Sequence, residues 1–249
     1  MADQALLIGL VGFLAQLVDG ALGMAYGTVS AAILLSLGVT PANTSAAVHT
    51  AQIFTCGAAG LSHMYHRNVL WPMVWRLALP GVAGAIIGAS VLVNLNQEAI
   101  RPWISAYLGA LGILILYRVI RRNRTAKPKA TDRAALPTGF LGGFADSVGG
   151  GGWGPIATST LVGRGHEPRF TIGSVSVAEF IVKTASAATF FLALGMTHLD
   201  IVLPLVIGGL LAAPLGGYLV RIIPAKVLMT MIGAVILALS GWQIARLVF

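Results

Sequence analysis

What the chain lacks narrows it first. Only 10% of its 249 residues are charged, against about 25% in an ordinary soluble domain, so it cannot build a conventional solvated surface. Its single cysteine, Cys56, excludes an intrachain disulfide framework. A P-loop signature is absent, which leaves ATP hydrolysis by this chain unsupported. The five histidines (His49, His63, His66, His166 and His198) include no close pair at mid-span. Haem or metal ligation is therefore not expected, and no cofactor is called for. Met1 to Gln4 carry Asp3 and no basic residue, so a cleavable signal peptide is not expected.

What is present is apolar residues and glycine: 57% hydrophobic, with 31 glycines that follow no Gly-X-Y period. Collagen and a disordered chain are both excluded. The expectation is an all-α polytopic membrane protein whose solvent is the lipid bilayer. The formal net charge of +8 would suggest nucleic acid if it were spread over a surface. It is not spread: Arg118 to Arg133 holds seven basic residues (Arg118, Arg121, Arg122, Arg124, Lys127, Lys129, Arg133) and one acid, Asp132. A basic connector between apolar spans marks a cytoplasmic loop, and no nucleic-acid partner is needed.

The chain is two copies of one unit. A shift of 127 residues lays Gly12, Phe13, Leu14, Asp19, Gly23, Gly27 and Pro41 on Gly139, Phe140, Leu141, Asp146, Gly150, Gly154 and Pro168. Tyr26 then meets Trp153, and Gln52 meets Glu179. The division expected is repeat 1 over 1–122, a basic linker over 123–136 and repeat 2 over 137–249. Duplicated membrane units suggest a transporter whose site lies where the copies meet.

Each copy has three segments near the roughly 20 apolar residues that a crossing helix needs. They run about Asn43–His66, Pro72–Asn94 and Pro102–Arg122, then Phe170–Leu194, Leu199–Arg221 and Ala225–Arg246. Pro41, Pro102 and Pro224 stand near expected helix starts. Gly84 and Gly88, four apart, suit close helix contact.

The first segment of each copy is different. Its middle reads Asp19-Gly-Ala-Leu-Gly-Met-Ala-Tyr-Gly27 in copy one and Asp146-Ser-Val-Gly-Gly-Gly-Gly-Trp-Gly-Pro155 in copy two. Glycine costs about 1 kcal/mol in a helix interior and proline about 3, so two half-helices meeting at a mid-membrane break are expected. The segment either crosses once or re-enters as a hairpin. Re-entry inverts the second copy, and the positive-inside rule favours it. The inverted arrangement leaves only Arg101 and Arg246 outside, whereas the parallel one strands Arg164, Arg169, Arg221 and Lys226 there. Both termini are then periplasmic.

Two polar stripes sit at matching depth. Copy two carries Ser176, Glu179 and Lys183 on one face of a span, and copy one carries His49, Gln52 and Cys56. Intramembrane charges are costly, at least about 2.5–3.5 kcal/mol each on insertion scales. Either Glu179 and Lys183 form a self-neutralising pair, or Lys183 attracts an anionic substrate and Glu179 sets its position. The glycine breaks allow two readings as well. They permit tight packing, or they bring half-helix N–H groups close to an anion. Asp19 and Asp146 cap the next half-helix or relay protons. Tyr26 and Trp153 line a path or simply pack.

With Asp146, Gly149-Gly150-Gly151-Gly152-Trp153-Gly154-Pro155, Gly165-His166-Glu167-Pro168-Arg169, Gly173-Ser174-Val175 and Ala178-Glu179-Phe180 in place, the chain resembles the sulfite exporter TauE/SafE family. The duplicated layout covers nearly the whole chain. Copy one has Ala21-Leu22 and Met24-Ala25 where glycines would stand, so the second copy carries the resemblance. The resemblance implies transport of sulfite or small organosulfur anions such as sulfonates across the inner membrane. The expectation is a multi-pass secondary transporter working by alternating access, in place of an enzyme, with a passive anion channel as the alternative. A homo-oligomer is left open. The expected site comprises Lys183, Glu179, Ser176, Gly150, Gly151, Gly152, Trp153, His49, Gln52 and Tyr26, with Asp19 and Asp146 as caps or coupling groups.

Overall fold

The computed structural model describes residues 2–120, 133–195, 199–222 and 225–248. Among these, α1 is Ala2–Leu22, α2 Tyr26–Ser36, α3 Pro41–Tyr65, α4 Trp71–Asn94 and α5 Gln97–Ile120. In copy two, α6 is Ala135–Gly149, a π-helical turn Gly154–Thr158 leads into α7 Ser159–Gly163, and α8 Pro168–Leu194, α9 Leu199–Ile222 and α10 Ala225–Val248 follow. The described residues contain no strand, and the chain is an all-α polytopic membrane protein.

Each boundary has a local cause. Pro41 and Pro168 open α3 and α8, where a missing N–H loses no intrahelical bond. The side chain of Asn96 starts α5 early: its Oδ1 accepts the N–H groups of Glu98 and Ala99 at 3.0 Å each. α5 therefore opens at Gln97, more than a turn before the start near Pro102 expected from the sequence, and Pro102 lies inside it. Pro224 and most of the basic connector lie outside the described residues. The breaks fall at 23–25 and 150–152. Gly150 and Gly152 take φ of 70° and 144°, a region that side-chain-bearing residues rarely enter.

Four helices are long and apolar enough to cross a bilayer among the described residues: Trp71–Asn94, Gln97–Val119, Pro168–Leu194 and Lys226–Arg246. In α9 the apolar stretch so described is Leu199–Ala213. α3 has the length, at 25 residues, but Ser45, His49, Gln52 and Thr55 lower its hydropathy. Those side chains are buried, so the polarity of α3 faces the protein.

The radial pattern is that of a protein dissolved in lipid. Leu6, Leu79, Ile113, Leu141 and Leu192 point outward, while His49, Asp146, Ser147, Lys183 and Ser186 are buried. In water this would be backwards. In hydrocarbon, polar groups must find partners inside the bundle.

The two copies interlock. α1 packs on α9, and its equivalent α6 packs on α4; α3 meets α8, and α5 meets α10. The close approaches match in detail. A Cβ on Gly12 would meet the backbone of Leu205 of α9, and one on Gly139 would meet the backbone of Leu77 of α4. Gly84 and Gly88 face Phe140 and Phe144 of α6 in the same way, so glycine supplies the small surface that lets these backbones touch.

Candidate functional site

The two helix breaks meet. A Cβ on Gly27 would stand 3.0 Å from Gly151 Cα and 3.1 Å from the Gly150 carbonyl. One on Gly151 would run into Gly27 C and Thr28 N. Only glycine on both sides allows this crossing. The phenol of Tyr107, from α5, braces the second break by donating to the Gly151 carbonyl at 2.9 Å.

Behind the crossing lies a cavity of about 10 Å³, room for about one water. From copy one it is lined by Asp19, Met24, Gly27, Thr28 and Gln52. Copy two supplies Asp146, Gly152, Trp153, Gly154, Pro155, Glu179 and Lys183. The site therefore belongs to neither copy alone.

Asp146 is its hub. One oxygen accepts the Trp153 N–H at 3.0 Å, which caps the half-helix after the break. The other accepts Lys183 Nζ at 2.6 Å and faces His49 Nε2 at 3.0 Å. Asp146, His49 and Lys183 are all fully buried. The second carboxylate near the ammonium, Glu179, stands 3.8 Å away with its side chain 13% exposed. His49 Nδ1 also faces a carbonyl, that of Ser45, at 2.6 Å. A neutral imidazole has one N–H. Which of the two oxygens His49 donates to depends on its tautomer.

Asp19 repeats the capping half of this pattern and omits the ionic half. Its Oδ1 accepts the N–H groups of Ala25 at 2.6 Å and Tyr26 at 3.1 Å. The leading amides of both half-helices are thus already engaged by carboxylates of the chain itself. Gln52 adds a fully desolvated acceptor: its Oε1 has no hydrogen-bond partner although the residue is buried.

Among the residues expected from sequence, Asp19, Gln52, Asp146, Gly152, Trp153, Glu179 and Lys183 line the cavity. His49 stands behind Asp146. Gly150 and Gly151 form the crossing. The hydroxyl of Tyr26 donates to the Leu205 carbonyl at 3.1 Å, away from the cavity. Ser176 donates back to Ile172 O of its own helix at 2.9 Å and does not line it. Thr28 and Tyr107 had no periodicity or motif to distinguish them in sequence, whereas Met24 and Pro155 were read only as parts of the breaks and Arg118 only as part of the basic connector. Among the described residues no group of three or more His, Cys, Asp or Glu is placed to hold a metal ion.

Comparison with known proteins identifies the family. The profile of the Sulfite exporter TauE/SafE family matches residues 8–242. The chain is 37% identical over 245 residues to the probable membrane transporter protein YtnM of Bacillus subtilis (strain 168), covering 96% of this chain and 82% of that one. No solved structure matches.

Proposed function

Because this chain belongs to the sulfite exporter TauE/SafE family, we propose that it is a secondary active transporter of a small sulfur-containing anion, sulfite or a sulfonate, across the inner membrane. The observation that carries the reading is the meeting of two glycine breaks, one from each copy, around a small cavity lined by the buried ammonium of Lys183. Discontinuous helices crossing at a repeat interface suit a carrier working by alternating access. In this reading the copies are inverted, and the crossing rocks to open the cavity to one side and then the other.

A cavity with room for about one water favours an occluded carrier over an open anion channel. It has to expand to admit a four-atom oxyanion. Charge balance adds a requirement. Asp19, Asp146 and Glu179 line the cavity with one ammonium, Lys183, so a further anion enters only with compensating positive charge. The His49–Asp146 bridge and Glu179 are where a coupled proton would reside. The substrate would then take over Lys183 while a carboxyl group is neutralised.

Proteoliposomes carrying the purified protein test this directly. Labelled sulfite or methanesulfonate should accumulate with saturation when a pH gradient is imposed. Lys183→Met should abolish it while leaving a monodisperse protein. Normal transport by that variant would remove the central residue, and flux without saturation or coupling would favour the channel.

A further inference from the structure

The central cavity has a cation that does not line it. Arg118 lies in the last turn of α5, beside the basic connector, and its side chain turns inward and is partly buried. Its Nη2 donates to the Pro155 carbonyl at 3.1 Å, and its Nη1 stands 3.6 Å from Met24 Sδ. Pro155 lies in the π-helical turn that follows the second break and Met24 in the first break, and both line the cavity. A single guanidinium thus straddles the seam between the two breaks.

Its partners are unusual for a sheltered arginine. A guanidinium withdrawn from water is normally matched by a carboxylate, most often in a forked pair. Here the partners among the described residues are a carbonyl oxygen and a thioether, and neither carries charge. The positive charge is left over. The inner cation is Lys183, already held by Asp146 and Glu179. Arg118 is therefore the less neutralised of the two, and it is the one nearer the connector.

We propose that Arg118 is the anion-capturing latch of the connector-side mouth. In the closed form it ties Met24 to Pro155 across the seam. When the seam opens on that side it releases both, pairs in forked fashion with an oxyanion arriving from the connector side, and hands it inward to Lys183. Its ligand class is a tetrahedral or pyramidal oxyanion presenting two oxygens, as sulfite and sulfonates do. The proposal rests on the anion-transport reading and adds a residue and a sidedness to it.

Inside-out and right-side-out membrane vesicles separate the two mouths, with labelled sulfite and methanesulfonate as probes. Arg118→Gln should raise the KM for anion offered on the connector side by about tenfold or more, the loss expected for hydrogen bonds to a charged group. KM from the other side should stay within about twofold, well under the 1.4 kcal/mol that a tenfold change represents. Arg118→Lys should restore part of the connector-side affinity, since charge is kept and the fork is lost. A brace with no substrate role would instead change stability, or both sides equally.

Should Arg118→Gln not fold, Met24→Cys in the otherwise unaltered protein serves. Sulfite should change the rate at which a charged thiol reagent labels that cysteine from the connector side. Equal KM shifts on both sides, no shift, or labelling indifferent to sulfite would overturn the latch while leaving transport standing. Failure of the unaltered protein to move either anion would overturn the transport reading and the latch with it.

Discussion

The two helix breaks share a scaffold and differ in charge. In both, an aspartate near the end of the first half-helix accepts the opening amides of the second: Asp19 from Ala25 and Tyr26, Asp146 from Trp153. In both, the aromatic after the break packs on a glycine of the other copy, Tyr26 on Gly209 and Trp153 on Gly81. The facing stripes then diverge. Asp146 meets Lys183 and His49, and Glu179 stands by. Around Asp19 the equivalent positions are Cys56 and Gln52, neither of which carries charge. Duplication preserved the hydrogen bonding that folds the break, while the ion pair formed around only one of the two aspartates, Asp146.

The sharpest way to break this comparison is to remove each aspartate in turn. Asp146→Ala leaves a fully buried ammonium, an imidazole and the Trp153 amide without their partner. Breaking a buried ion pair from one side costs about 3–5 kcal/mol, so thermal unfolding in detergent should fall steeply or the protein should fail to accumulate. Asp19→Ala loses a cap and no ion pair, and should cost about 1–2 kcal/mol. Equal losses would mean that the charge asymmetry has no energetic content.

Next in size is Glu179→Gln, which makes copy two read like copy one at Gln52. Lys183 keeps its 2.6 Å partner, Asp146, and loses the more distant carboxylate at 3.8 Å, so the loss of stability should be smaller than for Asp146→Ala. Transport should respond more than stability. Accumulation of sulfite driven by a pH gradient should drop while exchange at equal pH persists. Unchanged gradient-driven accumulation would exclude Glu179 as a proton carrier.

Much of this arrangement was legible in the amino acids. The repeat, six long helices and the two interruptions follow from glycine, proline and hydropathy, which act locally. The depth of His49, Gln52, Glu179 and Lys183 was readable because each sits on a helix of fixed pitch. The hub was not. Asp146 and Lys183 are 37 residues apart, and Asp146 and His49 are 97 apart. Which oxygen meets which cation depends on how α6 crosses α3 and α8. The half-helix amides carried two readings in the sequence, open to an anion or capped by Asp19 and Asp146, and the structure has the caps. Tyr107 and Arg118 were hidden for a similar reason: only the packing of α5 against the breaks gives them a role.

A second pair of substitutions probes the matched aromatic seats. On Gly81 a Cβ would stand 2.8 Å from Val182 Cγ2 and 2.9 Å from the Trp153 ring. On Gly209 it would stand 2.8 Å from Thr55 Cγ2 and 3.4 Å from the Tyr26 ring. Overpacking costs about 1–3 kcal/mol, offset by about 1 kcal/mol of alanine's helix preference. Gly81→Ala should therefore destabilise by about 1–2 kcal/mol and Gly209→Ala by less, read as the difference in melting temperature. The reverse order would mean that the tyrosine side is the stiffer seat.

The smallest expected effect is Tyr26→Phe, and it separates a path residue from a packing one. The ring is fully buried, and its hydroxyl donates to the Leu205 carbonyl of α9 at 3.1 Å. Phenylalanine keeps the ring on Gly209 and deletes one bond between the copies. A carbonyl has two lone pairs, and that of Leu205 lies inside a helix where the second can serve the backbone ladder. The loss should then be that of an ordinary hydrogen bond, about 1 kcal/mol, visible as a modest fall in melting temperature. The KM for sulfite should be unchanged, because the hydroxyl points to α9 and away from the cavity. A raised KM with unaltered stability would place Tyr26 on the substrate path, and the two breaks would then share more chemistry than their charges suggest.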